Sequence, residues 1–350
     1  MRTVVINHSL VNLHEIKPWS TEFLKMINSN LGNAVISHSI LKILPGVEIH
    51  PAAHNLGEVH NSKSLANDIN SKYGKCILVL QDHVVFESMP PSVSLTPKKI
   101  LAVADFLKNI AIPTFVVSLT VRKSFELKNQ ADFLTPETLE LLNSLRNPLI
   151  SVGVRGKFTE RLLRDFGGIK VKAVGCPSFF ARVSDKTANP VPDILGTNGR
   201  LTNSEAATIH IAQGDDSGEP LLIPYLSADG KIYSTKQIEN KMSDYYKPKF
   251  LEKIYFPASV EDWIRVTGKV TLIAGTRLHG AIVALNAGLP VLTVATDMRA
   301  KETLDFMDIP YFEELTDELI DYSEKNTKNL FEEYDNKYPK RLDYFRKWLN

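Results

Sequence analysis

The chain has 350 residues, 43% hydrophobic and 23% charged, a length that suits two domains and a balance typical of soluble globular proteins. Its 41 basic and 40 acidic residues leave a net charge of +1, without the basic excess that nucleic-acid binding demands. Two distant cysteines, Cys76 and Cys176, exclude a disulfide framework and zinc-type spacing, which fits a reducing, cytoplasmic setting.

The N-terminus "MRTVVINHSL" lacks the apolar core of a secretory signal. Residues 3–7, 34–37, 76–81, 114–121, 149–154 and 171–175 are short apolar or β-branched runs that read as strands. Between them, "PWSTEFLKMINSN", "NSKSLANDINSKYG", "TPKKILAVADFLKNI" and "TPETLELLNSLRN" read as helices. Thr96-Pro97 and Thr135-Pro136 look like an N-cap followed by a first-turn proline. Strands separated by helices predict parallel βαβ units and a doubly wound sheet.

The pattern breaks at 181–203, rich in Pro, Gly and Asn. The expected division is therefore an N-terminal α/β domain over 1–183, a linker over 184–203 and a second α/β domain over 204–320, followed by C-terminal helices over 321–350 that pack back across both. The two sheets are expected to face a central cleft. In the second domain, 207–212, 220–226, 250–256 and 270–275 read as strands, and "KIYSTKQIENKM", "SVEDWIRVTG" and "RAKETLDFMD" as helices. The tail "KYPKRLDYFRKWLN" sets Tyr338, Leu342, Phe345 and Leu349 on one face among basic residues. It reads as a terminal helix docking on the protein, with a peripheral membrane foot as the second reading.

The stretch "GTRLHGAIVALNAGLPVLTV", residues 275–294, is a compact strand–helix–strand unit. Gly275 allows a tight turn, Thr276 is the expected N-cap, the helix runs over 277–287, and Gly288 and Pro290 stop it. A helix apolar on all sides is buried on all sides. Arg277 and His279 nevertheless stand at its amino end, just past a strand's carboxyl edge, where α/β sheets bind ligands. The helix dipole favours an anion there, and arginine supplies a bidentate fork for carboxylate or phosphate. The dipole alone eases loss of a histidine proton, whereas a bound phosphate favours the imidazolium. A second unit, "SVGVRGKFTERLLRDFGG", places Arg155 at a strand's end before a Gly156 turn, with Lys157 and Thr159 in the next helix's first turn. Facing one cleft, Arg155 and Arg277 would share a polyanionic ligand.

These two stretches, "SVGVRGKFTERLLRDFGGIKVKAVGCPSFF" and "GTRLHGAIVALNAGLPVLTVATDMRAKETLDFMDIP", resemble the two main signatures of the polysaccharide pyruvyl transferases. The second match carries Gly-x-Arg-Leu-His-Gly, Gly-x-Pro-Val, Asp-x-Arg and a trailing glutamate, Glu302. The resemblance implies a two-domain GT-B-like fold, phosphoenolpyruvate as donor and co-substrate, no metal, and a saccharide or lipid-linked oligosaccharide acceptor in cell-surface polysaccharide, capsule or exopolysaccharide synthesis. It implies Arg277, His279 and Arg155 as the catalytic set. The first third departs from the family pattern: "INHSLVNLHEI" stands where an Asn…Gly-Asp element is usual, and "LVLQDHVVFESMPP" where a glycine cluster is usual.

The chemistry fits these residues independently. Forming a ketal from an enol phosphate needs a proton on the methylene carbon, a route for sugar hydroxyls and a stabilised phosphate leaving group. His279 as imidazolium is the natural general acid, and Arg155 and Arg277 hold the donor anion. Gly275, Thr276, Thr159 and Arg299 are the further donor-side candidates, Arg299 either on the anion or paired with Asp297. On the acceptor side stand His8, Asp82, His83 and Arg122, each just past a predicted strand. His50, His54, Glu58 and His60 have a zinc-like spacing, but Pro51 and Gly57 argue against the helix it needs and favour a loop, either an ordinary surface loop or one that binds the acceptor. Asp215 and Asp216 read as a solvated loop. The rival readings are a nucleotide-sugar glycosyltransferase, with His8 or His83 as base, and a non-catalytic binding protein on the same scaffold. Contact with the inner face of a membrane is the second expected location.

Overall fold

The computed structural model describes residues 2–6, 16–26, 30–50, 56, 61–80, 97–121, 134–182, 195–199, 207–213, 219–227, 229–232, 236–244, 246–314 and 316–350. The first domain runs β1 (Thr3–Ile6), α1 (Thr21–Met26), α2 (Leu31–Ile43), β2 (Glu48–Ile49), α3 (Ser62–Lys72), β3 (Lys75–Val79), α4 (Pro97–Asn109), β4 (Thr114–Leu119), α5 (Pro136–Ser144), β5 (Ile150–Val154), α6 (Lys157–Phe166) and β6 (Val171–Ala173). Its six strands are parallel, in the order β2-β1-β3-β4-β5-β6.

The second domain runs β7 (Leu195–Asn198), β8 (Ile209–Ile211), α7 (Glu219–Leu222), α8 (Lys236–Met242), α9 (Pro248–Leu251), β9 (Ile254–Tyr255), α10 (Val260–Thr267), β10 (Leu272–Gly275), α11 (Leu278–Asn286), β11 (Val291–Thr293) and α12 (Met298–Met307). Its five parallel strands are ordered β11-β10-β7-β8-β9. A last helix, α13 (Asp317–Leu349), follows.

Alternating faces of the first sheet feed two cores. Val4, Ile6, Cys76, Leu78, Val116, Val152 and Val154 point to one side, where α3 to α6 cover them. Val5, Ile77, Val79 and Val117 point to the other and join a core that continues through α2, α10, α11 and α13 into the second domain. The two domains thus share one apolar interior. The end of α13 lies on the first sheet: Trp348 meets Phe115 edge-on at 5.3 Å, the Tyr344 hydroxyl donates to Ala173 O, and Lys75 Nζ donates to Leu349 O. Tyr338, Phe345 and Leu349 are buried in the protein, so the tail's apolar face is not available to a bilayer. No helix among the described residues is long and apolar enough to cross a membrane.

Four sequence expectations are corrected. Residues 34–37 lie inside α2, not in a strand; Asn30 caps that helix by accepting from Gly32 N, and a short apolar run suits a buried helix as well as a buried strand. Residues 195–198, placed in the linker, form the central strand β7; "LGTN" has little β-branching, and Gly196 is there to pass under the Ile273 side chain. Residues 220–225 are helical, in α7 and a 3-10 turn, and Leu226 makes an isolated bridge to Ile232. Of 250–256, only Ile254–Tyr255 is strand.

Candidate active site at the switch point of the second sheet

Counted within its own domain, the second sheet has the order 3-2-1-4-5, so strand order reverses between β7 and β10. The carboxyl ends of these two strands form the crevice where such sheets take ligands. The last residues there are Asn198 and Gly275, and α11 starts immediately beyond. Asn198 Oδ1 accepts from Arg277 N at 3.0 Å, fixing the turn. The N-cap is Arg277, not the expected Thr276. At the far end, Gly288 has φ +81, its N–H bonds Leu285 O, and Leu289 N bonds Ala284 O, a Schellman stop.

Side-chain caps close α2 (Asn30), α3 (Asn61), α5 (Thr135), α10 (Ser259) and α12 (Asp297). The helices α6 and α11 have no side-chain cap bond, and they are the two whose amino ends the sequence marks as anion sites. No acidic residue lies in the first turn of α11.

The first domain reaches this point through α2. Leu31 N donates to Gln213 O at 3.1 Å, joining the first turn of α2 to the end of β8. A Cβ on Gly32 would lie 2.8 Å from both His279 Cγ and Asn30 Oδ1, so the His279 ring rests on bare backbone. Under α11, a Cβ on Gly280 would lie 2.6 Å from Asn198 Cγ and 3.0 Å from Gln213 Nε2. Gln213 is held by a buried relay: its N–H donates to Glu219 Oε2, while His210 spans Glu219 Oε1 at 3.4 Å and Thr197 Oγ1 at 3.1 Å. Half-buried Arg277 and His279 thus stand on a rigid floor where the domains meet.

At α6 the anion position is already taken. Arg155 is 2% exposed, and its Nε donates to both Ser118 O and Oγ at 3.1 Å. Ser118 aims both acceptors from a left-handed φ of +70 at a β4 bulge. The Glu302 carboxylate, from α12, accepts from Thr159 N at 2.8 Å, Thr159 Oγ1 at 2.6 Å and Thr120 Oγ1 at 2.7 Å. In this arrangement Thr159 serves Glu302, and Arg155 lies among protein groups rather than open to a donor. Burial pushes the Glu302 carboxyl above its ordinary value, against the Thr159 and Thr120 donors and the Arg155 charge.

Arg299 pairs with Asp297 at 3.0 Å, and Asp297 Oδ1 also caps Ala300 N. Gly275 is buried against Asn198, with Thr276 half-buried beside it. His8, Asp82, His83 and Arg122 lie outside the described residues, as do His54, Glu58, His60, Asp215 and Asp216. His50 bonds Asp68 at 3.3 Å, and no metal-holding cluster occurs among the described residues. Sequence reasoning missed Asn198, Gln213 and Gly32 as parts of the site, and gave Glu302 no role beyond its place in the signature. An asparagine and a glycine do follow the first strand, but downstream at Asn30 and Gly32, opening α2.

The model of the family described as polysaccharide pyruvyl transferase matches residues 30–298. The chain belongs to the polysaccharide pyruvyl transferase family. The match opens on the Asn30 cap and closes on the first turn of α12, so it contains the starts of both α6 and α11. No curated protein matches this pyruvyl transferase family member in sequence. Among solved structures, sucrose-phosphate synthase from Thermosynechococcus elongatus superposes with a TM-score of 0.50 at 10% identity, covering 100% of this chain and 95% of that one. A protein of uncharacterised function from Klebsiella pneumoniae gives 0.43 at 12% identity, covering 89% and 93%. The fold is that of the GT-B glycosyltransferases: two parallel-sheet α/β domains.

Proposed function

We propose that the protein transfers pyruvate from phosphoenolpyruvate onto a saccharide as a ketal. The observation that supports this best is the start of α11, which carries Arg277 and His279 at the switch point where α2 closes in. Arg277 and the α11 dipole hold the donor's anionic end. His279 delivers a proton to the methylene carbon, which becomes the methyl group. Two sugar hydroxyls add to the former enol carbon, and the bond from that carbon to the phosphate oxygen breaks. Of the two hydroxyl protons, one restores His279 and the other leaves with inorganic phosphate. The acceptor binds on the first-domain side, where His8, Asp82, His83 and Arg122 follow β1, β3 and β4 in sequence.

The test is incubation of the protein with phosphoenolpyruvate and candidate glycans, read by NMR for a new ketal methyl and by assay for released phosphate. Arg277→Ala is expected to lose donor binding. His279→Ala is expected to keep donor binding and lose turnover by about 10²–10⁴-fold, the range for a general acid. Full activity in either variant refutes the assignment, and a thermal shift with a nucleotide sugar but none with phosphoenolpyruvate favours a glycosyltransferase.

A further inference from the structure

Glu302 has no part in the chemistry above, yet it is only 4% exposed and carries a carboxylate. A buried carboxylate is costly unless it is well bonded. All three of its hydrogen-bond donors, Thr159 N, Thr159 Oγ1 and Thr120 Oγ1, belong to the first domain, while Glu302 stands on α12 of the second. Thr159 is the third residue of α6, whose N-cap is Gly156 and lacks a side chain. Glu302 therefore caps α6 from the other domain. The backbone is shaped for it: a Cβ on Gly156 would lie 2.6 Å from Glu302 O and 2.7 Å from Glu302 Cβ. Arg155, one residue before that glycine, adds its charge to the same carboxylate.

We propose that Glu302 is a positioning residue that locks the two domains in register, setting the carboxyl edge of the first sheet, with α2 and its Gly32, against the α11 site. Its catalytic consequence rests on the pyruvyl-transfer reading; its effect on domain arrangement does not. Without the lock the closed form is only part of the population, so donor affinity falls by that fraction while the closed enzyme still turns over.

The experiment is double electron–electron resonance on the full chain with spin labels at Lys63→Cys and Lys269→Cys, one exposed position in each domain; both native cysteines are buried. Glu302→Ala is expected to broaden and lengthen the interdomain distance distribution, and Glu302→Gln, which keeps one accepting oxygen, to fall between. In the phosphate-release assay, Glu302→Ala is expected to raise the KM for phosphoenolpyruvate by about tenfold or more, with kcat changed by less than about threefold. An unchanged distance distribution overturns the proposal, and so does a loss confined to kcat. If Glu302→Ala does not fold, as judged by circular dichroism, Glu302→Gln is read on the same two measures. If the parent protein releases no phosphate, the pyruvyl-transfer reading fails and the label distances alone decide the lock.

Discussion

Gly32 and His279 come from different domains, and their contact sets the geometry of the proposed acid. A methyl group on Gly32 would push against the imidazole ring and Asn30 Oδ1. In Gly32→Ala the loss of glycine's entropic penalty is opposed by displacement of the His279 ring and of the Asn30 cap, so no net gain in stability is expected. It should lower pyruvyl transfer by up to about 10²-fold, the effect of displacing a reacting group by about 1 Å. Steady-state kinetics beside a urea melt separates the two effects, and a variant that is as stable and as active as the parent contradicts the contact. Arg277 and His279 were legible in sequence because a strand, a glycine turn and a helix put them at one sheet edge without help from elsewhere. Gly32 was not, since no local pattern records a partner in another domain. Asn198 and Gln213 were hidden for a related reason: an amide at a strand end is common, and only the strand order shows which end is the crevice.

The starts of α6 and α11 carry the same local signal and meet different ends. At α11 the signal marks a crevice beside the other domain; at α6 it marks a carboxylate supplied by the protein. Sequence reasoning read both as ligand sites, because a helix start flanked by arginine and glycine looks the same whether its anion is a substrate or a glutamate about 140 residues away. The difference has a pH signature. Burial raises Glu302 above its ordinary value of 4.5 in the folded state. Its contribution to stability is therefore complete below that ordinary value and lost as pH rises through the raised one. Urea midpoints of the native protein should fall across that interval, and Glu302→Gln should lack this component. Glu261 on α10 behaves oppositely: the hydrogen bond from His38 on α2 holds it down at about 2, so its contribution is present above 4.5 and lost as pH falls toward about 2. Because the Glu261 side chain is 70% exposed, this second component should be small and shrink with added salt. Within α11, Asn286 Nδ2 donates to Ser178 O at 2.7 Å in the buried interface with the first domain. Asn286→Ala should cost about 1 kcal/mol by removing that bond, since Ser39 Oγ still donates to the same carbonyl at 3.3 Å, and urea unfolding measures the loss.

At the scale of the whole molecule, the alternation of strands and helices was enough to call for two doubly wound sheets, and the chirality of βαβ units does the rest. What escaped was β7, whose Leu-Gly-Thr-Asn offers no β-rich run, and α2, whose apolar run has no distinguishing period. The shared core has an energetic consequence. Phe345 on α13 is fully buried among residues of that core, its ring centroid 5.1 Å from that of Phe180 and tilted against it. Phe345→Ala should cost about 3–5 kcal/mol, and probes in either domain should report the same shifted midpoint. Two separate transitions would show that the domains are energetically independent.

The docking of Trp348 over Gly153 also constrains synthesis. Trp348 leaves the ribosome roughly 200 residues after Gly153. At about 5–20 residues per second, this face of the first sheet stays uncovered for on the order of 10–40 s. During that interval the nascent chain exposes apolar surface that its own α13 later hides, and that surface is prone to association until the last helix arrives.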